Sequence, residues 1–279
     1  YFREIPRENA TPAQALHIYK EAIKGFSDND IGRIISSTLL DLSLKKYIKF
    51  NVEKENKKER ITIEIINENI EQLQIDEKIV FEFLQTACGY KKKITVKELE
   101  KYIKQAERGK IIALKSELDF YTKEELVEEK IYDLEEEKKY KDYTSLNLLF
   151  VIIIFIASIG FFTLMQQSNP IGMGISVMLI ISEIIAIIIN RKSINKINVY
   201  TQKGIDEQKQ WKDLERYMKD FSKLDEREIP EIIIWEKFLI FATVFNIADK
   251  VLEQLKIVYP NMENNISINN YGYMNAMMN

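Results

Sequence analysis

Two apolar runs dominate the chain, Leu146 to Met165 and Ile171 to Ile189, joined by the five polar residues Gln166 to Pro170. Each is close to the ~20 residues that a helix rising ~1.5 Å per residue needs to cross a bilayer core. So short a loop, holding Asn169-Pro170, returns the second run antiparallel beside the first. The spacing predicts a transmembrane helical hairpin over 146–189. A pair of buried core helices is the soluble alternative, but such helices are usually shorter and seldom so free of charge.

Charge orients the hairpin. Lys138, Lys139 and Lys141 precede it, Arg191, Lys192 and Lys196 follow it, and the connecting loop carries none. The positive-inside rule then places both flanks in the cytoplasm and Gln166 to Pro170 outside, which makes the expected location a multi-pass cell-membrane protein with cytoplasmic soluble parts. A net charge of -3 excludes a global field that would select nucleic acid or an acidic substrate. One cysteine, Cys88, rules out an internal disulfide and suits a reducing compartment. With only His17 beside it, the usual zinc ligand sets are out of reach within one chain, and no cofactor fingerprint or phosphate loop appears. The first residue is Tyr1 rather than Met, so we expect a longer parent chain.

Around the hairpin the periodicity assigns the rest. Residues 1–10 read as a polar juxtamembrane connector. Thr11-Pro12 opens a helix, Thr11 as N-cap and Pro12 at the first helical position, with Leu16, Tyr19 and Ile23 as its stripe and an end near Gly25. A second helix runs from Ser27–Asp30 to about Lys45 on Ile31, Ile34, Ile35, Leu39 and Leu42. Ile48, Phe50 and Val52, then Ile61, Ile63 and Ile65, alternate as strands, with charged Glu53 to Glu59 as the loop of a β-hairpin. Helix, helix and β-hairpin outline a winged-helix-like module. Further helices use Ile79, Val80, Phe83, Leu84 and Ala87, then Leu99, Tyr102 and Ile103, then Tyr121 to Glu136, so 11–142 is read as the cytoplasmic winged-helix-like and helical region. Beyond the hairpin, 198–260 reads as a C-terminal amphipathic helical module. One helix carries Trp211, Leu214, Met218 and Phe221, and a second runs from Glu231 to about Leu255. Residues 261–279, rich in Asn and Met, are expected to be a disordered tail. The fold class is therefore mainly α, a transmembrane helical hairpin between these two modules.

The segment Trp211-Lys-Asp-Leu-Glu-Arg-Tyr-Met-Lys-Asp-Phe-Ser222, followed by Pro230 and by Trp235-Glu-Lys-Phe-Leu-Ile-Phe-Ala242, resembles the C-terminal signature of the YciQ-like predicted membrane proteins, a bacterial and archaeal family of unknown function. Gly204, Ile247-Ala248-Asp249-Lys250-Val251 and the opening Tyr1-Phe2-Arg3-Glu4 with Thr11-Pro12-Ala13 match the same pattern, so the resemblance spans Tyr1 to Pro260. It implies a β-rich extracytoplasmic domain and one earlier transmembrane helix upstream, and it brings no catalytic residues. The tail departs from it, ending Tyr-Met-Asn-Ala-Met-Met-Asn where many relatives are Gly-rich.

Glu183 is the sharpest candidate for function, a carboxyl inside the second apolar run. Placing such a group near a bilayer centre costs ~2.5–3.5 kcal/mol, less near an end. In an antiparallel hairpin its depth matches Ile152 to Ile154, which offer no partner. It therefore snorkels towards Arg191 and Lys192, faces a helix elsewhere, or is protonated. Gly160, with Ala157 and Ser158, and Gly172, Gly174 and Ser176 are small residues suited to close helix packing, within the hairpin or in a homo-oligomer. Trp211, Phe221 and Trp235 are candidate aromatics of a membrane interface or of a core. His17 is read as partly exposed and Cys88 as core. On the second helix Asp30, Arg33, Asp41, Lys45 and Lys46 nearly cancel, which argues against DNA.

These readings give a non-enzymatic membrane-anchored interaction or scaffold protein, whose partners are the lipid bilayer and an unidentified protein. The alternatives are a subunit of an oligomeric channel or transporter using Glu183, and, more weakly, a membrane-tethered DNA-binding regulator.

Overall fold

The computed structural model describes residues 2–21, 25–55, 58–105, 108–165, 174, 177–178, 180–185, 187–188, 198–221 and 232–258. The Gln166–Pro170 loop, Gly172, Ser176, Arg191, Lys192, Lys196 and the 261–279 tail lie outside them. The chain is mainly helical with one small antiparallel sheet. It divides into two compact units. One gathers the described residues up to Glu129 together with those from Gly204 onward, and the other is Lys130–Lys203.

The first unit opens with α1 (Pro12–Lys20). Thr11 caps it through a reciprocal box with Gln14, and Pro12 occupies the first turn, where a missing N–H costs nothing. The helix stops at Glu21, in the left-handed region, short of the expected Gly25. Buried residues cover most of its surface, His17 among them at 2% exposure. The expected part-exposure of His17 is thus corrected: the ring stands edge-on to Phe26, 5.7 Å between centroids. Gly25 then turns the chain at φ +79 into α2 (Asp28–Leu44). Ser27 and Asp30 form its capping box, and Asp30 also receives Lys20 and Arg33, each at 2.7 Å. Asp30 is therefore buried and neutralised by its neighbours rather than offered on the surface of the helix.

Strands β1 (Ile48–Glu55) and β2 (Lys58–Ile65) pair in the register Ile48↔Ile65, Phe50↔Ile63 and Val52↔Ile61. The ladder continues through Glu53↔Arg60, Lys54↔Glu59 and Glu55↔Lys58. The segment expected as a seven-residue loop is therefore mostly strand among its described residues. After α3 (Ile75–Cys88), β3 (Lys93–Thr95) adds to β2, so the sheet has three strands rather than the two of a lone hairpin. On α3 the buried apolar face is Val80, Phe81 and Leu84. Phe81 fills it in place of the expected Ile79 and Phe83, since the helix is buried towards α2 and α5 rather than on one side only.

Helices α4 (Val96–Gln105) and α5 (Arg108–Glu128) complete the first half of this unit. The second half supplies α7 (Gln202–Asp220), α8 (Ile232–Val244) and α9 (Ala248–Val258). A single helix over Glu231–Leu255 was expected. Instead Asn246 at φ 62 breaks it, and the N–H of Ile247 closes on the Ala242 carbonyl at 2.8 Å. That break folds α9 against α8 and lets α8 pack on α1 and α2. The core is thus shared by segments more than 200 residues apart: Tyr19 of α1 stacks on Phe245, 4.3 Å between centroids.

The second unit begins where α5 ends. Lys130 at φ 60 and the extended Ile131–Tyr132 interrupt what was expected as one helix over Tyr121–Glu136. Asp133 then caps α6 (Leu134–Met165), accepting from the N–H groups of Glu135 at 2.9 Å and Glu136 at 3.2 Å. Three glutamates in the first turn suit the positive end of a helix dipole. Residues 174, 177–178, 180–185 and 187–188 are also helical.

Candidate functional site

Of the two units, Lys130–Lys203 carries the candidate carboxyl. From Leu146 onward α6 exposes apolar side chains all round, Leu148, Leu149, Phe150, Ile152, Ile153, Ile154, Phe155 and Ile156 among them. A helix with no polar face has no use for water on any side. Within this surface the Ser158 hydroxyl is buried and lies 2.6 Å from Glu183 Oε1 and 2.8 Å from the Ile154 carbonyl. The expectation that Glu183 meets only Ile152 to Ile154 is therefore corrected. Its neighbour is Ser158 instead. The hydroxyl thus gives Glu183 a polar partner among apolar side chains.

In the sequence Ser158 carries only the signal of a small residue. The close-packing expectation at the glycines finds no comparable contact. A Cβ built at Gly160 or Gly174 meets nothing within 4 Å among the described residues, and Gly172 and Ser176 lie outside them.

The two ends of this unit are joined to each other. Tyr132 and Tyr200 form an antiparallel bridge, the N–H of Asp133 donates to the Val199 carbonyl at 2.8 Å, and that of Thr201 donates to the Ile131 carbonyl at 3.0 Å. The two tyrosine rings meet edge to face, 5.4 Å between centroids. Burial, and then the charge of Glu137, pushes the Tyr132 hydroxyl above its ordinary range. The chain therefore enters and leaves the apolar stretch at one place. Nothing in the hydropathy pattern announces this clasp; only the tyrosines at either end hint at it.

In the other unit, Trp211, Phe221 and Trp235 are all fully buried. Trp211 packs on Phe241 at 4.7 Å and Phe245 at 5.7 Å, and Phe221 meets Trp235 at 4.7 Å. These rings are core, not an interfacial face. Glu207 receives the Trp211 Nε1–H at 3.1 Å and the Arg7 guanidinium at 3.4 Å, and Arg7 also pairs with Glu129 and donates to Gln14 Oε1 at 2.9 Å. Arg7 thus ties the N-terminal segment to α5 and α7. Cys88 is buried, which pushes its thiol up to about 11 and keeps it out of the reactive thiolate form.

A polar network at the start of α3 has no signal in the sequence, where 43 acidic side chains offer too many pairings. Asp76 and Glu77, in the first turn of α3, are at most 2% exposed. Thr11 donates its hydroxyl to Asp76, and the N–H of Glu77 does so at 2.8 Å. Glu125 of α5 accepts from Gln14 Nε2 at 2.7 Å and the N–H of Ile75 at 3.2 Å. Lys45, the C-cap of α2, bridges Asp41, at 2.9 Å, and Glu77. Burial raises the Asp41 carboxyl to about 7, and hydrogen bonding to Glu77 adds to it. For Asp76 burial, then the charge of Glu125, drives the carboxyl well above the usual range. Burial works against the Lys45 ammonium, but Asp41 and Glu77 outweigh it and hold it above its ordinary value. Among the described residues no three His, Cys, Asp or Glu side chains are arranged to hold a metal ion.

The model of one family, described as the predicted membrane protein (DUF2207) C-terminal domain, matches residues 1–255. The chain belongs to this family. No curated protein and no solved structure matches it. Membership in DUF2207 agrees with the resemblance carried by the Trp211–Ser222 and Trp235–Ala242 segments. It also agrees with the one helix, Leu134–Thr163, that is long and apolar enough to cross a membrane among the described residues.

Proposed function

We propose that this DUF2207 domain is a non-enzymatic, membrane-anchored interaction protein in which an apolar helical hairpin carries a folded, winged-helix-like cytoplasmic body. The observation that carries the reading is the clasp between Tyr132 and Tyr200. An apolar excursion that starts and ends at one point crosses a bilayer an even number of times, so both flanks stay on one side. The lysines before it and the basic residues after it assign that side to the cytoplasm. Folding of residues before and after the excursion into one unit supports the same reading, since a single body cannot form across a membrane. Helices α1 and α2 followed by β1 and β2 supply the winged-helix-like order, with α2 the helix that would recognise a partner.

The partner we propose is a protein. Along α2, Asp30 engages Lys20 and Arg33, and Asp41 engages Lys45, so Arg33 and Lys45 are paired internally rather than offered to phosphates. Phe120 of α5, 56% exposed, is a large apolar group on the surface of this body. A photo-crosslinking residue at Phe120, with others at Tyr90 and Ile112, in the complete protein in native membranes tests the reading. A second protein captured from one of these positions is the expected result. Recovery of this chain alone, from every position, would overturn the scaffold reading in favour of a homo-oligomer.

A channel or transporter subunit is the second reading, favoured by the Ser158–Glu183 contact. Flux whose pH dependence changes in Glu183→Gln would establish it.

A further inference from the structure

The three-stranded sheet has one long, open edge. Strand β1 lies outermost, with β2 between it and β3. The N–H of Ile66 donates to the Tyr47 carbonyl at 2.9 Å, in line with the ladder that pairs Ile48 with Ile65. Bonded positions alternate along an antiparallel pair, so Lys49, Asn51 and Glu53 spend their backbone groups on β2. Ile48, Phe50, Val52 and Lys54 turn theirs away from it. The N–H of Ile65 points the other way, to the Lys92 carbonyl at 2.9 Å, as the same alternation demands. Among the described residues nothing bonds to the outward N–H and C=O groups of Phe50 and Val52. Natural sheets guard such an edge with a bulge, a proline, a short strand or charge. The edge at β3 is only three residues long. β1 runs eight residues with an unbroken ladder and neither Pro nor Gly. What it carries is charge, Lys49, Glu53, Lys54 and Glu55, and a strand that docks there must match it.

We propose that β1 pairs antiparallel with β1 of a second copy of this chain, about a two-fold axis at Asn51. The strand is its own complement in that register. Lys49 of each copy falls opposite Glu53 of the other, Phe50 opposite Val52, and Asn51 opposite itself. The opposite charges are matched twice, and an aromatic side chain meets a β-branched one twice, both favourable cross-strand pairs. Phe50 and Val52 form the bonded pairs, made from the outward groups that the single chain leaves unused. The ends, Ile48 against Lys54, are unlike in polarity and add little. Moving the axis to Phe50 sets Lys49 against Asn51, and moving it to Val52 sets Phe50 against Lys54, so either shift loses one of the two matches. The product is a continuous six-stranded sheet with a short β3 at each end. This self-pairing stands apart from the protein partner proposed above, and either can fail without the other.

Disulfide trapping in the complete protein in native membranes tests the proposal. The two Asn51 residues would face each other as a non-bonded pair with Cα atoms ~4.5 Å apart, within the span a disulfide bridges. Native Cys88 is buried and takes no part. Asn51→Cys is expected to crosslink into a homodimer on mild oxidation, whereas Thr62→Cys, one strand inside the edge, is not. Adding Val52→Pro to Asn51→Cys removes an outward N–H without touching a β1–β2 bond, and the crosslink should be lost. No crosslink at Asn51→Cys, equal crosslinking at Thr62→Cys, or a crosslink that survives Val52→Pro overturns the proposal. Capture of a different protein at position 51 overturns it as well. Should Val52→Pro fail to fold, amide exchange of the wild-type protein in bilayer nanodiscs decides. The Phe50 and Val52 amides are expected to be protected with two copies per disc and to lose that protection with one. Equal exchange in the two preparations refutes the pairing.

Discussion

Replacing Glu183 by leucine sets two effects against each other. The carboxyl sits in an apolar helical stretch, where insertion scales charge an acid up to about 3 kcal/mol, less towards an end. Its compensation is the Ser158 hydroxyl at 2.6 Å. Hydrogen bonds between helices in membranes average about 0.6 kcal/mol and reach about 1.7. The penalty exceeds the bond, so Glu183→Leu is expected to favour insertion of the second run by roughly 1–2 kcal/mol. The gain should depend on its neighbour. In a Ser158→Ala background no bond is lost, and the same substitution should gain a further ~0.6–1.7 kcal/mol. A glycosylation-tag reporter of insertion, applied to the four members of this cycle in the complete chain, measures both quantities. Equal gains with and without the serine hydroxyl would refute the pairing. A loss of insertion in Glu183→Leu would refute the idea that the acid is a burden, and would show that it has a partner stronger than Ser158.

Two further substitutions probe the soluble body. Gly25→Ala places a Cβ 2.0 Å from the Asp119 carboxylate at a backbone φ of +79, and the displaced Asp119 loses the Phe26 N–H it holds at 2.7 Å. The expected cost is about 2–4 kcal/mol, read as a lower urea midpoint, and adding Asp119→Ala should recover part of it. Asp30→Asn removes the anion shared by Lys20, Arg33 and Ser27 and is expected to cost about 1–3 kcal/mol at neutral pH. Burial works against the Asp30 carboxyl, but the bonds from Lys20 and Ser27 outweigh it and hold it below its usual range. The stability it contributes is therefore complete above pH ~4 and fades as pH falls further, so the wild-type and Asp30→Asn denaturation curves should converge in acid.

The local signals in this chain were legible because each needs only its neighbours in sequence. Thr11-Pro12 with Gln14 reads as a helix start from its neighbours alone, and the alternation of Ile48, Phe50 and Val52 and of Ile61, Ile63 and Ile65 marks two strands with one apolar face each. The first apolar run announces a helix of membrane-crossing length by itself, and Trp211, Leu214, Met218 and Phe221 fall on one face by their spacing. What the tertiary structure decided concerns groups far apart in the chain. Asn246 and Lys130 break helices whose periodicity continues straight through, because the chain gains more by folding back on a core than by one more helical turn. Ser158 meets Glu183, Tyr132 meets Tyr200, and Arg7 meets Glu129 and Glu207 across 25, 68, 122 and 200 positions. Pairing one carboxylate with one cation among 43 acidic and 40 basic side chains is a question of distance in space. Coulomb attraction and hydrogen bonding act over a few ångströms, and only the folded chain says which charges come that close.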